Sequence, residues 1–298
     1  MTTFPITFSI PESKIEKNIS TPKKRLLSPL IPGDFSTYIY NSEEDYYAQY
    51  QESVFAVTTK KGGWDCLRHY EIIANGCIPY FPDLQDCPKN TMALFPKHLV
   101  LEGNVCFEKL RNKTLETMSV EEKKECEQLS SKLVQYLRNH LTTRKMAQYV
   151  LNTLSVRGVS SILYLSGSMF PDYLRCLTLH GFKELLGKKC HDYPKISHLY
   201  TDFPGDFRYL YGKGITYSNL LNSADTRDDS LDATIEQDIK SCKYDLIVYG
   251  SAHRGLPFLE LAKQHYSSER IIMFCGEDLH SCDLLELEKQ VLFVRELD

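Results

Sequence analysis

The chain has 298 residues, 42% hydrophobic and 25% charged, with 35 basic against 39 acidic side chains. This is the composition of a globular chain with room for about two domains; it excludes a disordered protein, and a formal charge of -4 supplies no global field to gather nucleic acid or an anionic membrane. No run approaches the ~18 apolar residues of a membrane span, and MTTFPITFSIPESK lacks the basic and apolar regions of a signal peptide, so a cytoplasmic protein is expected.

From residue 6 to about 81, short strand-like runs (ITFSI, RLLSPLI, SVFAV, CIPYF) alternate with polar turns and with helical stretches over 43–50 and 66–75, an α/β pattern. Over 120–154 the apolar residues Leu129, Leu133, Leu137, Leu141, Met146 and Val150 fall near one stripe, and Ser119 with Glu122 forms a capping-box start for a long helix or a helix pair. SSILYLSGS then reads as a buried strand ending in a glycine turn, followed by a helix over 172–186, which is how a Rossmann-like half begins. The uniformly apolar runs YDLIVY, IIMFC and VLFV, with the helix-like FLELAKQHY among them, read as strands of a parallel sheet covered on both faces. Residues 201–232, rich in Asp, Gly, Ser and Asn, are expected to form a long surface loop; His191, Asp192 and Tyr193 read as a polar turn. The expected domains are 1–154, a ligand-binding half with connecting helices, and 155–298, a Rossmann-like half.

Ten cysteines are scattered with no CxxC pair and are expected to be reduced, mostly core-filling thiols. Cys275, His280 and Cys282 match no common zinc spacing, and the Asp228 and Asp229 pair lies in a polar loop, so no metal is expected.

Residues 53–81, SVFAVTTKKGGWDCLRHYEIIANGCIPYF, place a strand, a basic Gly-Gly turn, a helix and a second strand in the order of a phosphate-binding unit. Lys60 and Lys61 supply cations, Gly62 and Gly63 let backbone amides approach an anion, and the helix start adds partial positive charge. Arg68 offers a permanent, bidentate charge, and Glu71, one turn on, offers acceptors for vicinal hydroxyls. The plain alternative is a solvated turn, a surface i,i+3 pair and a helix C-cap at Gly76. Trp64 is either a stacking surface or an anchor of the turn, and Tyr38 and Tyr40 are candidate base contacts.

The spacing Arg68, Glu71, Gly76, Cys77, Pro79 (R-x-x-E-x4-G-C-I-P) resembles the donor motif of exostosin-like glycosyltransferases of the GT-B type, closely over about thirty residues and elsewhere by fold type only. The resemblance implies two Rossmann-like domains facing a cleft, with Arg68 on the phosphate and Glu71 on the ribose of a nucleotide-diphosphate sugar, a hydroxyl acceptor such as a glycan, and no cofactor. Gly63 stands where retaining relatives often carry a further Glu, which points toward an inverting enzyme. A general base would come from the strand ends of the second half, where Asp172, His253 (with Arg254 beside it) and the Glu277, Asp278, His280 cluster are the candidates. The GKG at 212–214 reads as a flexible turn. Because the donor-like motif comes first, the halves look circularly permuted, as though joining Asp298 to Met1 would restore the usual order. A nucleotide-sugar epimerase and a non-catalytic sugar- or nucleotide-binding protein are the competing readings.

Overall fold

The computed structural model describes residues 2–17, 22–278 and 290–298. Its first half contains β1 (Thr2–Pro5), β2 (Arg25–Leu27), α1 (Glu43–Gln51), β3 (Ser53–Val57), α2 (Leu67–Ala74), β4 (Ile78–Tyr80), α3 (Lys97–Leu110), α4 (Val120–His140) and α5 (Thr143–Thr153). The second contains β5 (Ile162–Leu165), α6 (Tyr173–Leu186), β6 (Cys190–Tyr193), α7 (Ser223–Thr226), α8 (Ile235–Lys240), β7 (Leu246–Tyr249), α9 (Leu259–His265), β8 (Ile271–Cys275) and β9 (Val291–Val294). The strands form two parallel sheets, one of six in the order β1-β9-β8-β7-β5-β6 and one of three in the order β2-β3-β4. This is a mixed α/β architecture. In the large sheet β6 lies on one side of β5 while β7, β8 and β9 lie on the other, so the winding reverses between β5 and β7. Such a switch point opens a crevice above the strand ends.

Local chemistry sets the helix limits. The Ser119 hydroxyl accepts from the Glu122 amide while the Glu122 carboxylate accepts from the Ser119 amide, so the capping box at the start of α4 is formed. The expected helix over 120–154 is a pair, divided where the Thr142 hydroxyl caps α5 by accepting from the Lys145 amide. Helices α5 and α6 pack closely: a Cβ added to Gly181 would lie 2.1 Å from the Thr143 carbonyl oxygen, so a larger side chain would force the pair apart. One continuous apolar core runs from Phe55 and Ile73 under the small sheet, through Leu133, Leu137 and Val150, to Tyr164, Phe274 and Phe293 under the large one.

Several expectations change. The first strand is Thr2–Pro5, with one further ladder bond from the Ile6 amide to the Val294 carbonyl, and it pairs with β9. The first residues of the chain therefore complete the sheet of the second half. Because that pairing is parallel, Thr2 lies opposite Val291 and Pro5 opposite Val294, so the end of β9 and the start of β1 are at opposite edges of the sheet. A direct join of Asp298 to Met1 does not fit; parallel neighbours need a crossover of a dozen or more residues. Residues 190–193 are the edge strand β6, not a polar turn, because Asp192 is buried against cations. Segment 201–232 is folded onto the core through buried Thr216, Tyr217 and Leu221 and is more than a surface loop. Helix α3 was not anticipated. Among the described residues eight cysteines are free thiols, but Cys275 is disulfide-bonded, correcting the expectation of thiols throughout. Among the described residues no helix is long and apolar enough to cross a membrane.

Candidate functional site

A cleft of about 610 Å³ opens between the two sheets. Its walls follow the C-terminal ends of strands from both: Lys61 to Gly63 after β3, Phe170 to Asp172 after β5, Arg254 after β7, Gly276 to Asp278 after β8 and Arg295 after β9. Phe170 and Arg254 flank the switch point between β5 and β7. Helix α2 contributes Arg68 and Glu71, and Tyr38, Tyr40, Tyr46 and Tyr211 add aromatic surface.

Arg68 is held by a polarised chain. Its Nε donates to the Thr58 hydroxyl (3.1 Å), which lies 2.7 Å from Nδ1 of His69, while Nε2 of His69 lies 2.9 Å from the Trp64 carbonyl. A carbonyl only accepts, so His69 carries its proton on Nε2, and its Nδ1 accepts a hydrogen bond from the Thr58 hydroxyl. Burial lowers the His69 pKa to about 3, keeping the ring neutral. The guanidinium also donates to the Thr59 carbonyl and reaches the Tyr38 hydroxyl at 3.5 Å. Among the described residues no carboxylate lies within ion-pair distance of it.

Glu71 is buried among hydroxyls. Thr216 donates to one carboxylate oxygen (2.5 Å) and Tyr46 to the other (2.9 Å), with Tyr50 and Tyr47 hydroxyls behind them. Burial raises its pKa to about 6, against the pull of those hydroxyls and of Arg68. Thr216 sits at φ +74°, a left-handed conformation unfavourable for a β-branched residue. Its amide donates to Glu43 (2.7 Å), which with the Glu71 and Tyr47 contacts holds it there. Nearby, Lys213 donates to the Tyr40 carbonyl and to Asn41, so the 212–216 turn is a bridge between the two sheets and not a free flexible turn.

The floor of the cleft is a buried ionic knot. Glu296 accepts from the backbone amides of Trp64 (2.9 Å) and Asp65 (3.0 Å) and from Arg295 (2.6 Å). Arg295 also pairs with Asp278, donates to the Asp65 and Gly276 carbonyls, and lies over the Phe8 ring. The Asp65 side chain accepts from the Phe8 amide (2.7 Å) and the Tyr70 hydroxyl (2.8 Å), and burial raises its pKa to about 7 despite Arg295.

These contacts correct the expected phosphate cradle. A Cβ on Gly62 would lie 2.0 Å from an Asp278 oxygen and one on Gly63 2.4 Å from a Glu296 oxygen. The glycines are required by carboxylates of the chain itself, and the amides that follow them are already satisfied. Lys60 turns away from the cleft to lie over the buried Trp64 indole, which anchors the turn against Phe81; Lys61 does line the cleft, 3.5 Å from the Tyr211 hydroxyl.

The candidate bases separate in the same way. Asp172 is the N-cap of α6, accepting from the Arg175 amide, and its other oxygen takes Nε of Arg254 at 2.9 Å. Both of its oxygens are engaged. His253 does not line the cleft, whereas Arg254 does, with Glu277 3.5 Å from it. Asp278 lines the cleft with its side chain half exposed, one oxygen on Arg295. His280 and Cys282 lie outside the described residues.

Sequence reasoning missed Arg295, Glu296, Asp65 and Thr216. The first two carried a signal, since charged residues directly after an apolar strand mark a ligand edge; Thr216 carried none. No protein-family model, curated protein or solved structure matches this chain.

Proposed function

We propose that the cleft binds a nucleotide-diphosphate sugar and that the protein is a glycosyltransferase acting on a hydroxyl acceptor such as a glycan. The observation that carries this reading is Arg68, held in place with no carboxylate partner among the described residues, beside Glu71 in a cleft formed by strand ends of both sheets. Arg68, with Lys61 and Arg254, faces the diphosphate; Glu71 accepts from the ribose hydroxyls, which replace Thr216 and Tyr46 as donors. Asp278, the exposed carboxylate of the three candidates, takes the proton of the acceptor hydroxyl as its oxygen bonds to the anomeric carbon. The bond from that carbon to the diphosphate breaks, and the side-chain cations steady the departing charge.

A second reading, a binding protein without turnover, is favoured by the two protein hydroxyls that already satisfy Glu71. Thermal shift and nucleoside-diphosphate release with UDP-, GDP-, dTDP- and ADP-linked sugars separate these. Transfer requires stabilisation by one class of nucleotide, release of its diphosphate, and at least about a hundredfold slower release in Asp278→Asn with binding retained. Binding without release supports the second reading, a changed sugar without release indicates an epimerase, and no shift with any nucleotide overturns the site.

A further inference from the structure

The helices behind the small sheet carry a pair of thiols that the cleft does not use. Cys106 on α3 and Cys126 on α4 are both buried, with their sulfur atoms 3.6 Å apart. Other buried thiols differ: Cys77, Cys176 and Cys190 are pushed up to about 12 by burial, Cys176 despite its contact with His198 at 3.3 Å. At the pair, the hydrogen bond shared with Cys126 holds the Cys106 thiol below the ordinary cysteine value.

Geometry also gives access. A surface hollow of about 280 Å³ is lined by Cys106 together with Lys109 and Lys132, and a separate one of about 470 Å³ by Cys126 with Lys123. Each cysteine, though only 4% exposed, thus walls a surface hollow, and a small oxidant approaches the pair from the surface. A disulfide needs sulfurs at ~2.05 Å, so the pair must close by about 1.5 Å, within reach of small side-chain rotations on two helices already in contact.

We propose that Cys106 and Cys126 form a reversible disulfide switch that takes hydrogen peroxide or a related small peroxide as oxidant. The Cys106 thiolate attacks a peroxide oxygen, the O–O bond breaks, and hydroxide leaves to be protonated to water, giving a sulfenic acid. The Cys126 sulfur then attacks the sulfenyl sulfur, its proton and the displaced hydroxide form a second water, and the S–S bond closes. Two thiols and one peroxide become one disulfide and two waters. The product clamps α3, whose Gly103 lies so close to β4 that a Cβ there would meet Ile78 at 2.7 Å, to α4. This switch does not depend on what the cleft binds.

The test titrates the native full-length chain with hydrogen peroxide, alkylates remaining thiols, and maps the digest by mass spectrometry. A linked 106–126 peptide, appearing before oxidation of Cys77, Cys176 or Cys190 and lost on adding dithiothreitol, is the expected result. Cys126→Ser should leave a sulfenic acid on Cys106 that dimedone traps, and Cys106→Ser should leave Cys126 reduced. The proposal is overturned if exposed Cys242 oxidises while the pair stays reduced, or if Cys106 passes to sulfinic acid without a linked peptide. Because the native chain alone gives these outcomes, a variant that fails to fold does not obscure them.

Discussion

Two buried carboxylates, Glu71 in the cleft and Asp192 on β6, are surrounded in opposite ways. Around Asp192, burial works to raise the pKa, but Lys183 at 2.9 Å, the Tyr200 hydroxyl and Arg227 outweigh it and hold the carboxyl below its ordinary value. Arg227 in turn also pairs with Asp229 and Asp232. Every charge there is spent on another. Glu71 is met by hydroxyls instead, and its pKa moves up to about 6, while Arg68 a turn away has no carboxylate within ion-pair distance among the described residues. Closed ion pairing marks a structural lock, and a cation beside a carboxylate that do not neutralise each other mark a place for a ligand.

The comparison is broken most forcefully from the locked side. Asp192→Asn leaves Lys183 buried without its carboxylate partner, while Arg227 keeps Asp229 and Asp232, and should destabilise the fold by about 3–5 kcal/mol. Urea denaturation checks it; a loss below ~1 kcal/mol would mean that the knot is not a lock. On the open side, Arg68→Ala should change stability by less than ~1 kcal/mol yet weaken nucleoside-diphosphate binding by about 10–100-fold, the loss of a charge-assisted contact. Calorimetric titration reads this, and unchanged affinity would remove Arg68 from the site.

A smaller effect distinguishes the two carboxylates by the sign of their pH dependence. Glu71 is raised from 4.5 to about 6, so over that window the folded state holds its proton more tightly than the unfolded chain does. Its contribution is most favourable below about 4.5 and is lost as pH rises through 6. Asp192 is lowered, so its contribution is present above the unfolded value of 3.8 and is lost as pH falls through its folded value. The stability of wild type relative to Glu71→Gln should therefore fall by about 1–2 kcal/mol between pH 4.5 and 7. A flat difference in paired denaturation series would show that Glu71 is not the buried, hydroxyl-bound group described.

Much of this was legible locally. The order β3, Gly-Gly turn, α2, β4 follows from an apolar run, a turn and an amphipathic segment adjacent in sequence, and the apolar strands β5, β7, β8 and β9 identified themselves by having no polar face. Helix α3 was legible but unread, since Leu99, Val100, Gly103, Cys106, Phe107 and Leu110 keep helical spacing after Pro96. Strand β6 was not: CHDY carries polar residues that are buried only because Lys183 and Arg227 come to meet Asp192. That Arg68 and Glu71 share a face of α2 was legible from their spacing within one helix. The partner of the Gly-Gly turn, Glu296, lies more than two hundred residues away, and a pattern read along the chain says nothing about such a meeting. The same distance explains why the turn read as a cradle for an external anion.

The pairing of β1 with β9 also sets an order of events during synthesis. β1 leaves the ribosome long before β9, its parallel neighbour, so Thr2–Pro5 waits for that pairing until Val291–Val294 emerges. Closing so long a loop comes at a high entropic cost and is expected to be a late step in folding. Glu296 arrives with β9 and supplies the carboxylate that the Trp64 and Asp65 amides require. Until then the turn before α2 lacks its anchor, and that wall of the cleft is not yet in place.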